Sequence, residues 1–64
     1  MSYTIGQKVW IDYHNGRKPS PAIVTKEILG HFHAKHDRYP HILIDLTECD
    51  SSTSPFTPKV IVKH

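Results

Sequence analysis

IGQKVWIDYHNGRKPSPAIVTKEI, residues 5–28, holds two alternating apolar segments separated by turn chemistry. In KVWIDY, residues 8–13, Val9, Ile11 and Tyr13 share one face at the two-residue period of a β-strand. Trp10 falls on the other parity, between Lys8 and Asp12, where a strand meets water. Asn15-Gly16 is a strong turn pair. Pro19 and Pro21 withhold backbone donors, so this stretch reads as a loop or sheet edge. AIVTKEIL, residues 22–29, resumes the alternation with Ala22, Val24 and Ile28 as inward candidates, but Lys26 shares their parity. A bulge or sharp bend within residues 25–27 resolves that conflict.

Further along, Gly30 punctuates, and HFHAK (31–35) predicts a third strand with Phe32 and Ala34 on one face. HILIDLT (41–47) predicts a fourth, with Ile42, Ile44 and Leu46 aligned. ECDSSTSPFTP is a polar loop with room for one 3₁₀ turn near residues 54–57, and KVIVK (59–63) predicts a fifth strand. No segment sustains a helical period. Five short strands in one 64-residue domain are too few for a two-sheet sandwich. A strongly bent meander curling into a small all-β barrel removes most open edges.

Composition sets further bounds. A chain of this length buries roughly 60% of its unfolded surface, so the core is thin. One cysteine, Cys49, precludes an intrachain disulfide and suits a reducing compartment. MSYTIGQK lacks the apolar segment of a secretion signal, and no apolar run approaches membrane-spanning length; a cytoplasmic location is expected. The net charge of +2 with neutral histidines is modest for a dedicated nucleic-acid binder.

The order IGQKVWIDY, NG, PAIV and then HILIDL resembles the SH3-like small barrels, particularly their Tudor and KOW-type branches, over residues 5–46. The resemblance implies a single five-stranded barrel with a 3₁₀ turn before the last strand. Reading a methylated cation would need an aromatic cage. Tyr13 matches its first position, whereas Ser20 and IDLTECD supply no ring at the others. A weaker likeness to MazF/PemK-type toxin ribonucleases rests on GQKVWIDY, Arg17 and PAIV. There Arg17 stands three residues out of register, and the chain lacks that family's second half, so shared architecture without the activity is expected.

Few residues suggest chemistry. His31 and His33 share a strand face at a spacing that suits one metal ion, with His36, His41 or Cys49 as a third candidate. Strand alternation alone generates the same pattern, so no metal and no cofactor are assigned. Cys49 stands between Glu48 and Asp50, which disfavour a thiolate. The acids Asp12, Asp45, Glu48 and Asp50 sit at strand ends with no pocket-forming sequence around them. No catalytic residue is assigned, and an enzyme is not expected.

Binding is the remaining class. Arg17 and Lys18 on the first loop, and Lys35 and Arg38 near the third, are candidates for nucleic acid beside exposed rings. Trp10, Tyr13, Arg17, Lys18 and Tyr39 are candidates for a protein groove, where the basic loop NGRKPSP suits an acidic partner. Trp10 is either a contact residue or a cap on an open barrel end, while Phe32 belongs to the core. The expectation is a small bacterial or phage regulator or inhibitor that binds a protein, with nucleic-acid binding as the alternative.

Overall fold

Alternation in the two segments flanking Asn15-Gly16 produces the two strands around which the rest assembles. The computed structural model describes residues 2–63. Its strands are β1 (Lys8–Asp12), β2 (Ser20–Ile28), β3 (His31–His36), β4 (Leu43–Asp45) and β5 (Lys59–Ile61), with helix α1 (Leu46–Ser51) between β4 and β5. Neighbours are antiparallel in the order β4-β3-β2-β1-β5, giving a curled half-barrel. The all-β expectation holds.

Register sorts the side chains. Val9 lies opposite Ala22, Val24 opposite Ala34, Ala34 opposite Ile44, and Ile11 opposite Val60. These are the inner-face pairs, and Val9, Ile11, Ala22, Val24 and Ala34 are fully buried. The outer face pairs Lys8 with Ile23, Ile23 with Lys35, and Trp10 with both Pro21 and Ile61.

β2 carries the expected bulge. Its pairing with β3 skips Thr25, so Lys26 lies opposite His33 on the outer face instead of following Val24 inward. The same slip overturns the inward assignment of Ile28, which faces outward opposite His31 and is exposed. Leu29 and Gly30 close the hairpin with φ values of 51° and 81°, the two positive angles of a type I′ turn. Leucine lacks glycine's freedom there, and the left-handed conformation costs it roughly 1–2 kcal/mol.

The first and fifth strands end earlier than the sequence reading, at Asp12 and Ile61, and the third runs one residue further, to His36. Two larger differences change the sheet. Ser20 and Pro21 belong to the central strand β2, not to a loop or edge. The Pro21 carbonyl accepts from Asp37 N–H at 3.1 Å, beyond the last residue of β3. A strand residue points its N and C=O the same way, so the missing donor falls where the ladder has ended. The predicted fourth strand also stops early. Asp45 leaves β4 as the N-cap of α1, its Oδ1 accepting from Glu48 N–H at 3.0 Å. Leu46 is buried as expected, but from a helix. Before β5, Thr57 N–H bonds the Ser54 carbonyl at 3.3 Å, a single i+3 turn where a 3₁₀ turn was predicted.

Tyr3 completes the core from the N-terminal segment. Its ring meets Phe32 edge-on at 5.6 Å, and its hydroxyl donates to Asp50 at 2.5 Å. Burial, then the Asp50 carboxylate, pushes the Tyr3 hydroxyl well up from its ordinary value and keeps it protonated as that donor. No helix among the described residues is long and apolar enough to cross a membrane. Leu46, fully buried at the joint between helix and sheet, is expected to cost about 2–5 kcal/mol on replacement by alanine. Urea unfolding of Leu46→Ala measures this, and the loss should approach the whole stability of so small a domain.

Candidate functional site: a cationic groove between two loops

Asp12 ends β1 by accepting from His14 N–H at 2.9 Å, and His14 adopts a left-handed φ of 57°. Asn15 Oδ1 then accepts from Arg17 N–H at 3.1 Å, a second side-chain-closed turn. The His14 ring bonds the Thr57 carbonyl through Nε2 at 3.1 Å, fastening this loop to the turn before β5. A local sequence of Asp, Asn and Gly therefore makes a structured loop.

Across from it runs the β3–β4 connection, where Ile42 N–H bonds the Tyr39 carbonyl at 2.8 Å. His36 joins the two. Its ring is buried, and Nδ1 lies 3.2 Å from the Ile42 carbonyl. A carbonyl only accepts, so Nδ1 carries a proton, and Nε2 is hydrogen-bonded to the Tyr13 hydroxyl. Burial raises the Tyr13 hydroxyl above its ordinary value, which keeps it protonated. The two rings also stack, with centroids 5.7 Å apart and an interplanar angle of 23°.

Above this floor is a groove of about 400 Å³ lined by ten residues, among them Tyr13, Arg17, Lys18, Pro21, Arg38 and Tyr39. None of the ten carries a carboxylate. Among the described residues no ion pair engages Arg17, Lys18 or Arg38. Asp37, adjacent in sequence to Arg38, pairs instead with Lys8 at 3.6 Å. The groove thus presents three uncompensated cations and two phenol rings on a polar floor.

The other candidates lie elsewhere. Trp10 is half-buried on the outer sheet face, with Lys63 Nζ 4.5 Å and Lys8 Nζ 5.8 Å from its ring centroid. It is not among the residues lining the groove, although its cross-strand neighbour Pro21 is. Lys35 lies on the same outer face between Ile23 and Leu43. Phe32 packs partly buried against the core.

His31 and His33 sit together on that face, and both approach Asp45: His31 Nδ1 at 2.7 Å and His33 Nε2 at 3.8 Å from Oδ2. His36 turns to the opposite face with Ala22. Among the described residues no three His, Cys, Asp or Glu side chains are arranged to hold a metal ion. Desolvation pushes the Asp45 carboxyl up, but the Glu48 N–H bond and the His31 contact outweigh it and hold the group below its ordinary value. The Cys49 thiol is raised by burial and by Asp50, Asp45 and Glu48, which suppresses its nucleophilic form.

The buried His36 was missed as a groove residue, since its inward parity after Phe32 and Ala34 was the only signal. Tyr13→Phe leaves His36 Nε2 buried without its partner and should cost about 1–3 kcal/mol in chemical denaturation. Asp45 gives a pH signature. A carboxyl depressed in the folded state stabilises above its unfolded pKa of about 4, and that stabilisation is lost as pH falls through the lower folded value. The stability gap between the wild type and Asp45→Asn should be full above about pH 4 and should close below it, as read by urea midpoints. Comparison of the chain with protein-family models, curated proteins and solved structures finds no match, so its function is argued from the geometry of the groove.

Proposed function

We propose that this chain is a non-enzymatic binding module, a small regulator or inhibitor that takes an extended acidic segment of a protein partner into the groove between its first and third loops. One observation carries the reading: Arg17, Lys18 and Arg38 converge on a carboxylate-free groove with no ion-pair partner among the described residues. Cations held close together without counter-charge are matched by carboxylates arriving on a ligand. Tyr13 and Tyr39 add ring surface beside them, and Pro19 and Pro21 stiffen one wall at little entropic cost. The resemblance of residues 5–46 to SH3-like barrels also enters this reading, since barrels of that kind present ligands between loops.

Nucleic acid would use the same cations, but it also needs ring faces on which successive bases stack. Here one face of Tyr13 lies against His36, Phe32 packs on the core, and Trp10 stands between two lysines on another face. Tyr39 alone offers a largely exposed ring beside the cations. This favours a protein ligand.

Fluorescence anisotropy with a labelled Glu/Asp-rich decapeptide and a DNA oligonucleotide of equal charge tests the proposal. The peptide should bind more tightly than the oligonucleotide and weaken with salt. Arg17→Ala with Arg38→Ala should reduce affinity roughly tenfold, the effect of two partly exposed charge contacts. Tighter binding of the oligonucleotide, or peptide binding indifferent to both arginines, overturns it.

A further inference from the structure

The β2–β3 hairpin leaves the body after the Thr25 bulge, and every residue from 25 to 31 is exposed. At its tip, Leu29 is 96% exposed and holds a positive φ that leucine disfavours. Ile28 beside it is also exposed. An apolar side chain that is both strained and solvated gains nothing for the monomer's fold. Such outliers point to a role outside the monomer.

Beside the hairpin lies a second cavity, about 330 Å³, formed where β4, α1 and the turn before β5 meet. Leu43, Ile44, Cys49 and Pro58 give it apolar walls, and Asp45 and Glu48 give it an acidic rim. It adjoins the tip, because Asp45 in its wall bonds His31, the residue directly after Gly30. The hairpin carries the complementary charge: Lys26 shares the outer face with Ile28, while Glu27 takes the opposite face, across from Phe32.

We infer that two copies of this chain associate by reciprocal exchange, the Leu29 tip of each entering the cavity of the other at Leu43 and Ile44, with Lys26 set against the Asp45 and Glu48 rim. A projecting tip next to a cavity is the arrangement in which one two-fold axis satisfies both contacts at once. The groove lies at the other end of β2, roughly 25–30 Å away along a nine-residue strand. The pair therefore keeps both grooves open and is bivalent. Two small contacts fall short of a standard interface, so the dimer is weak and dissociates on dilution.

Sedimentation equilibrium of the full chain, from roughly 10 μM to 1 mM where an interface of this size dissociates, gives the test. The wild type should pass from monomer to dimer across that range. Leu29→Asn should weaken association at least about tenfold. The same variant should raise Tm by about 4–8 °C, because asparagine accepts the left-handed turn. Leu43→Glu, at an exposed position of the cavity wall, should also be monomeric while folded by circular dichroism. Peptide affinity of monomeric Leu29→Asn in the groove should match the wild type, which separates this inference from the proposed function. A wild type that stays monomeric throughout, or an unchanged dimer in Leu29→Asn or Leu43→Glu, overturns it.

Discussion

Ala22 and Val24 enter the core while Lys26 stays on the outer face because the pairing of β2 with β3 skips Thr25. Continued without a break, the alternation would carry Lys26 inward behind Val24 and bury an ammonium group against apolar side chains. An unpaired buried charge costs several kcal/mol, comparable with the whole net stability of so small a domain. With the skip, Lys26 turns out beside His33, and Glu27 takes the inner parity only after the ribbon has left the body. One unpaired residue thus divides β2 into a core half and a projecting half. The groove belongs to the first half, through Pro21, and the exposed tip to the second.

That division also governs where charge accumulates. On the outer sheet face, acids and bases offset one another: Lys8 pairs with Asp37, Lys59 lies across from Asp12, and His31 bonds Asp45. Around the groove this does not happen, because Asp12 and Asn15 spend their side-chain oxygens on loop N–H groups and Asp37 reaches Lys8. The carboxylates nearest in sequence are engaged in building the loops. Arg17, Lys18 and Arg38 keep their charge unopposed as a consequence of how those loops are closed.

Local chemistry was legible in the residues; long-range closure was not. Alternation in KVWIDY and AIVT identified the inner face, and the Lys26 conflict located the bulge to within a residue. The helix was not read, although Asp45-Leu46-Thr47-Glu48 has the spacing of an N-cap with an acid three residues later. Reading the apolar parity of Ile42, Ile44 and Leu46 as a strand hid that signal, because an inward residue just past a strand end serves either element. Tyr3 has no such marker. Its partners, Phe32 and Asp50, stand far along the chain, and no local pattern announces them. The groove is a similar case: its cations were visible on separate loops, but the Tyr13–His36–Ile42 contact that brings the loops together is tertiary.

Trp10 shows how the outer face tolerates a large indole without a core to receive it. Its cross-strand neighbours are Pro21 and Ile61, so apolar groups flank it on both sides within the sheet. The Lys63 and Lys8 ammonium groups lie over its ring, at 4.5 and 5.8 Å from the centroid, placing positive charge against the π-face. Lys8, which marks this parity as wet, and Lys63 are thus the groups beside the ring. Each then contributes to the sheet through the indole instead of standing free in solvent. An aromatic residue among charged neighbours on a short strand is therefore accommodated by the sheet itself, through apolar cross-strand neighbours and adjacent ammonium groups.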